Sequence, residues 1–276
     1  MILTVIEHTP DCPVDRLGPW LTESTGPAGP QVTLRIVRAW SGDAVPAGAH
    51  EVGDGLVVLG GHVNAYDDEL APWLPATRHL LADVVAAGVP ALGVCLGAQL
   101  LAVATGGRVQ VGAPPGREAG VIDVHPRPEA AADPLLGGLA AQVPADHPAS
   151  GGVMLAMPSM HADAVVDLPR GAVWLASSRL YPFQAFRVGS AAWGVQFHPE
   201  ASPETVERWA DEHDDVDTAA VVSQLVARDD EVASGGRALA HRFVELVADG
   251  AATAARSAQP ATSSEPVTMS SASRIR

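Results

Sequence analysis

A cysteine between two glycines, and a histidine with a carboxylate two residues beyond it, carry most of the chemistry in this chain. Cys95 stands in Gly93-Val94-Cys95-Leu96-Gly97, after the apolar run Val89-Pro90-Ala91-Leu92 and before Leu100, Leu101 and Ala102 at helical spacing. The pattern predicts a buried parallel strand, a sharp turn and a helix that starts at once. A nucleophile elbow has this form, here with cysteine where the α/β-hydrolases carry serine. Gly93 and Gly97 suit a turn that strains its central residue and brings neighbouring chain close. Cys95 would then stand at a helix N-terminus, where the dipole and unpaired N–H groups favour a thiolate and can bind an oxyanion. The elbow alone leaves open a buried structural cysteine.

About a hundred residues downstream, Ala192-Trp193-Gly194-Val195-Gln196-Phe197 runs as a strand into His198-Pro199-Glu200. A cysteine nucleophile needs a base, and the base needs a group that fixes its tautomer. In extended chain, residues i and i+2 point the same way, so His198 and Glu200 can form that pair from one piece of backbone. Pro199 keeps the piece extended. Elbow and tripeptide together make a Cys–His–Glu set suited to acyl transfer.

Three blocks give the chain a resemblance to the class I (triad) glutamine amidotransferases, in particular to stand-alone members similar to the glutaminase domain of GMP synthase. They are Val57-Val58-Leu59-Gly60-Gly61-His62, the Gly93–Gln99 elbow and Gly194–Glu200, matching in order over about residues 1–210. The resemblance implies Cys95 as nucleophile, His198 as base and Glu200 as orienting acid. It implies oxyanion-hole N–H groups at Gly61 and Leu96, with Gly60 and Gln99 beside the bound glutamine. The family's glycine loop often reads Gly-Gly-Pro; here His62 takes the third place. Related sequences often carry His-x-Asp where this chain has His161 and Asp163, a pair that a solvated turn would equally explain. The implied activity is hydrolysis of glutamine to glutamate and ammonia, with glutamine or a γ-glutamyl compound as substrate. No Ser-Gly-Gly-x-Asp pyrophosphatase loop or Walker A pattern is present, so an ammonia-accepting synthetase would be a separate chain. A γ-glutamyl peptidase with the same triad, or a partner-gated or non-catalytic subunit, are the alternatives.

The elements that must position these residues follow from periodicity. Strands are expected at Ile2–Glu7, Gln31–Val37 and Leu56–Leu59, and helices near Asp15–Glu23 and Pro72–Ala87, with a turn at Ser24–Pro30. This alternation predicts an α/β fold: a mostly parallel central sheet with helices on both faces, flavodoxin-like, with reactive loops at the carboxyl ends of the strands. From Arg108 to about Gln196, short strands at Arg108–Val111, Val121–Val124, Val153–Met157, Ala172–Ala176, Gln184–Arg187 and Ala192–Phe197 suggest a smaller, partly antiparallel layer. Ala130–Gly152 reads as an exposed connection, and the aromatics of Phe183-Gln184-Ala185-Phe186 as core. Ser202-Pro203 starts a helix to about His213. Asp211, Glu212, Asp214, Asp215 and Asp217 read as a solvated acidic face. Helices near Thr218–Arg228 and Gly235–Ala248 lie beyond the resemblance. The division expected is a glutamine amidotransferase domain over 1–213, a helical extension over 214–250 and a disordered tail over 251–276.

Composition bounds the function. The 276 residues are 47% hydrophobic, enough for a large core, and the net charge is −15. So acidic a chain, without a clustered basic face, repels phosphate backbones, and no nucleic-acid partner is expected. Cys12 and Cys95 give no disulfide framework, and the ten histidines show no metal-ligand spacing, so neither metal nor cofactor is expected. The apolar N-terminus is too short for a signal peptide and lacks a basic region; no run is long enough to cross a bilayer. The expected location is cytoplasmic, without a membrane partner.

Overall fold

A computed structural model describes residues 1–23, 29–140 and 155–258. The amino-terminal half alternates strand and helix: β1 (Ile2–Glu7), α1 (Leu17–Thr22), β2 (Thr33–Arg38), β3 (Gly55–Val58), α2 (Leu74–Ala87), β4 (Ala91–Val94) and α3 (Leu96–Ala104). Then come β5 (Arg108–Gln110), β6 (Glu118–Pro126), α4 (Gly137–Ala140), β7 (Leu155–His161), β8 (Ala164–Asp167), β9 (Val173–Ser177), β10 (Ala185–Val188) and β11 (Ala192–Val195). Three helices close the described chain: α5 (Pro203–Asp211), α6 (Thr218–Ala227) and α7 (Asp229–Ala258).

Nine strands form one mixed sheet in the order β2-β1-β3-β4-β11-β10-β9-β6-β7. From β2 to β11 neighbours are parallel; from β11 to β7 they are antiparallel. β3, β4 and β11 are buried along their whole length, as parallel strands covered on both faces must be. Side chains alternate between two cores. Leu3, Val57, Leu92 and Val94 meet α1 and α7, through Leu17, Leu21, Phe243 and Val247 among others. Ile6, Leu56, Val58 and Ala91 meet α2 and α3, through Leu80, Val84, Leu100 and Leu101. α2 stops at Gly88, whose φ of +69° is the left-handed cap that glycine adopts without strain.

The carboxyl ends of β1, β3, β4 and β11 lie at the same edge, because the four strands are parallel neighbours. The Gly60-Gly61 loop follows β3, Cys95 follows β4 and His198 follows β11. One short step past each strand therefore reaches a common point.

The structure departs from the sequence expectations in four places. The antiparallel strands extend the central sheet, and only β5 and β8 pair as a separate two-stranded sheet. That pairing needs β8, for which Ala164–Asp167 offers too short a pattern. Residues 130–140 of the supposed exposed connection pack into the core: Leu135, Leu136 and Leu139 are at most 2% exposed. They close over Asp133, whose buried carboxylate accepts from Arg187 Nε (2.8 Å), Trp193 Nε1 (3.0 Å) and the N–H groups of Leu135 and Leu136. α7 runs on to Ala258, into the stretch read as a tail. Its Leu239, Ala240, Phe243, Val244 and Val247 share a core with β1 and β4, so it is a wall of the fold and not an extension from it. The Ser24–Pro30 turn, residues 141–152 of the connection and the tail from 259 onward lie, wholly or largely, outside the described residues.

α5 begins as its sequence says: Ser202 Oγ accepts from Thr205 N–H, with Pro203 at the first helical position. Of the acidic run that follows, Asp217 caps α6 through Ala220 N–H, and Asp215 pairs with Arg117. Among the described residues no helix is long and apolar enough to cross a membrane.

Candidate active site

Cys95 has φ +50° and ψ −106°, a conformation a residue with a side chain holds only when its surroundings impose it. Its own N–H donates to Val195 O at 2.8 Å, tying the elbow to β11. Below the elbow, chain passes chain with no room for side chains. A Cβ on Gly97 would stand 2.0 Å from Val58 O, and one on Gly93 2.5 Å from Gly97 O.

His198 is 2% exposed, and its Nδ1 lies 2.6 Å from Glu200 Oε1, itself on a residue 1% exposed. With Nδ1–H given to the carboxylate, Nε2 is left for Cys95. Burial opposes charge on this ring, but the nearby Glu200 carboxylate and Cys95 thiolate outweigh it and raise the pKa to about 10. The imidazole of His198 also packs on the Trp209 indole, with ring centroids 4.5 Å apart, while Trp209 Nε1 donates to Asp11 O. The α5 helix thus backs the histidine supplied by the preceding turn.

The glycine loop passes close by. A Cβ on Gly60 would come within 3.0 Å of His198 Cε1 and 3.7 Å of Cys95 Cβ. One on Gly61 would meet Leu96 Cδ2 and His8 Cβ, each at 2.9 Å. A cavity of about 250 Å³ opens here, with Gly61, Cys95, Leu96, Gln99 and His198 in its lining. Gly60 and Glu200 lie behind that lining. The first helical N–H groups of α3, Leu96 foremost, have no acceptor within the helix, as at any helix start.

His62, at the family's proline position, stands between two acids: Nε2 is 3.7 Å from Asp11 and Nδ1 3.6 Å from Glu212. These three are the group of possible ligands among the described residues whose donor atoms lie within 4.8 Å of one another. His62 and Glu212 are exposed, and each ring nitrogen of His62 already faces a carboxylate.

Two neighbours, Glu118 and Gln196, have no role assigned in the sequence, and His161, named there, takes a buried place. His161 is in no solvated turn: it is 4% exposed, with Nε2 3.2 Å from Glu118 Oε2 and Nδ1 3.0 Å from Asp163 O. Glu118, equally buried, also accepts from Ser178 Oγ and Gln184 Nε2, each at 2.6 Å. Nothing local in the sequence marks Glu118, because its partners arrive from β7, the residue after β9 and the residue before β10. Gln196 could have been found: it stands two residues before His198 in the same motif, in the bend that follows β11. Its Nε2 lies 3.6 Å from Cys95 Sγ.

His8, at the end of β1, braces the glycine loop through its contact with Gly61 and accepts from Trp73 Nε1 at 2.9 Å. Burial lowers its pKa from 6.5 to about 4. The unfolded chain therefore takes up this proton near 6.5 and the folded chain only near 4, so stability is lost as pH falls through that window. The loss from this one group is expected to reach about 3 kcal/mol. Urea unfolding from pH 7 to pH 4 should show it, with a shallower decline in His8→Gln; equal declines would clear His8 of the effect.

Solved structures share this architecture. A glutamine amidotransferase from Thermotoga maritima aligns with a TM-score of 0.71 and 24% identity, over 89% of this chain and 98% of that one. A glutamine amido transferase from Methylobacillus flagellatus gives 0.71 and 24%, over 88% and 94%. At such identities the likeness is one of fold, and the fold is that of the glutamine amidotransferases. The chain belongs to the family described as "Glutamine amidotransferase class-I", which its residues 31–209 match. Among curated relatives, a glutamine-hydrolyzing GMP synthase of Citrobacter koseri is 32% identical over 164 residues, 59% of this chain and 28% of that protein. A gamma-glutamyl-L-1-hydroxyisopropylamide hydrolase of a Pseudomonas species is 33% identical over 186 residues, 66% of this chain and 54% of that protein. The chain thus spans between about a quarter and about half of these relatives.

Proposed function

We propose that the chain hydrolyses the side-chain amide of glutamine through a γ-glutamyl thioester on Cys95, giving glutamate and ammonia. The observation that carries the reading is the strained Cys95 beside a buried His198–Glu200 pair, at one wall of a cavity sized for an amino acid. The Cys95 thiolate attacks the carboxamide carbon, and the oxyanion is received by the N–H groups of Gly61 and Leu96. His198, charged through neutral pH, gives its proton to the departing ammonia. It then takes a proton from the water that cleaves the thioester, and Glu200 steadies the imidazolium throughout. Gly60 lets the loop approach, and Gln99 lines the substrate pocket. Ammonia would pass to a synthetase on a separate chain. A thiol nucleophile with both cysteines free suits a reducing compartment such as the cytoplasm.

The likeness to a hydrolase named for a γ-glutamyl amide supports a second reading, in which a substituted amide is cleaved by the same steps. Steady-state glutamate release from glutamine and from a γ-glutamyl alkylamide decides between them. The first reading expects kcat/KM at least tenfold higher for glutamine. The reverse order would establish the γ-glutamyl amide hydrolase, and no release from either would overturn both for the isolated chain.

A further inference from the structure

The polar group in contact with the nucleophilic sulfur, besides the histidine, is a carboxamide. Gln196 is 2% exposed, and its Nε2 lies 3.6 Å from Cys95 Sγ. Its backbone is pinned, with Gln196 N–H on Gln184 O at 2.9 Å and His198 N–H on Pro158 O at 2.8 Å. A carboxamide could face the sulfur with either end, and its remaining partners decide which. Gln99, 3% exposed, places its Nε2 3.0 Å from the backbone carbonyl of Asp163 and 3.3 Å from Gln196 Oε1. A backbone carbonyl only accepts, so it fixes the NH₂ end of Gln99. That NH₂ in turn takes Gln196 Oε1, which leaves the Gln196 NH₂ for sulfur. The same Asp163 carbonyl faces His161 Nδ1 at 3.0 Å, which holds it in place. The chain of polarity therefore starts at a group that cannot turn round and ends on the nucleophile.

We infer that Gln196 is a positioning residue for Cys95: its N–H donates to Sγ, holds the sulfur facing His198 and stabilises the thiolate. The inference rests on the reading of Cys95 as the nucleophile. It gives Gln99 a second task, since its amide orients Gln196 while its side chain lines the substrate cavity. A donor to a thiolate is a charge-assisted hydrogen bond, stronger than one between neutral groups. Gln196 itself is buried, at 2% exposure, so a leucine there leaves that side of the sulfur without a donor.

The test uses the full chain with Gln196→Leu, which removes the donor at similar size, and Gln196→Glu, which puts a carboxylate beside the sulfur. The first readout is the rate of Cys95 alkylation by iodoacetamide at pH 7, separated from Cys12 by peptide mass spectrometry, and it needs no substrate. The second is kcat and KM for glutamine. Gln196→Leu is expected to slow alkylation by about tenfold and kcat by a similar factor, with KM within about twofold. Gln196→Glu should slow both further. If Gln196→Leu does not fold, Gln99→Leu removes the orienting amide one step back and should slow alkylation about threefold. A folded Gln196→Leu alkylated at the wild-type rate would overturn the inference. So would a large rise in KM with alkylation unchanged, which would assign Gln196 to substrate. Gln196-dependent alkylation in a chain that hydrolyses no glutamine would support this inference and sink the hydrolase reading alone.

Discussion

Cys95→Ala is expected to abolish glutamine hydrolysis, with a loss on the order of 10⁴-fold or more, because the other thiol in the cavity lining, Cys12, has its pKa raised by burial and by the charges of Cys95 and Glu200. Glu200→Gln should come close behind it, at about 10³–10⁴-fold in kcat, for a different reason. The carboxylate 2.6 Å from His198 Nδ1 is one of the two charges that overcome burial and hold the imidazole at about 10. A neutral amide keeps the shape and removes that charge, and it can present its NH₂ to the ring and so favour the wrong tautomer. The sign is definite: taking away the anion lowers the His198 pKa. Glutamate release measured from pH 6 to pH 10.5 should therefore lose its alkaline limb near 10 in the wild type and at lower pH in Glu200→Gln. Cys95→Ala, with an unchanged circular dichroism spectrum, should stay at background across the range. Turnover by Cys95→Ala, or an unmoved alkaline limb in Glu200→Gln, would remove these residues from the roles proposed.

What could be read from the sequence was what depends on a few consecutive residues. The elbow, the His-Pro-Glu exit and the Ser202 cap each announce themselves by spacing, because their geometry is set within one turn or one stretch of strand. β3 and β4 were legible for a related reason: strands buried on both faces leave no polar positions to blur the pattern. Asp133 shows where such reading ends. Its segment is rich in Ala, Gly and Pro and looks like surface, yet the carboxylate is buried because Arg187 and Trp193 come to it from strands more than fifty residues away. Glu118 is hidden in the same way, as are the partners of His161 and those of α7, whose apolar positions say that it packs but not on what. Gln196 is the instructive case. It lies inside a recognised motif but past the end of β11, and its spacing does not show that its amide reaches the sulfur.

The elbow's cost can be measured apart from its chemistry, at Gly97. A methyl group there would sit 2.0 Å from Val58 O, 2.7 Å from Val58 C and 3.1 Å from Val58 Cβ. The first two are backbone atoms of β3, in mid-sheet between β1 and β4, so no side chain can swing aside to relieve the contact. Either α3 lifts away from the sheet, opening the core around Leu100 and Leu101, or β3 moves and takes the Gly60-Gly61 loop with it. Gly97→Ala is therefore expected to lose more than about 3 kcal/mol of stability, at the upper end of what overpacking costs, and to be inactive even where it folds. Gly250→Ala is the matched control. It lies within α7, where a Cβ would make ordinary contact with Pro90 Cγ at 3.4 Å. Removing a glycine from a helix interior there should raise stability by about 0.5–1 kcal/mol and leave hydrolysis unchanged. Denaturant unfolding of the two alanine variants beside the parent decides the matter. If Gly97→Ala unfolds within 1 kcal/mol of the parent, α3 is free to shift at its start. The strained turn that presents Cys95 would then be a soft feature, and the placement of the nucleophile would depend on the Gln196 and His198 contacts instead.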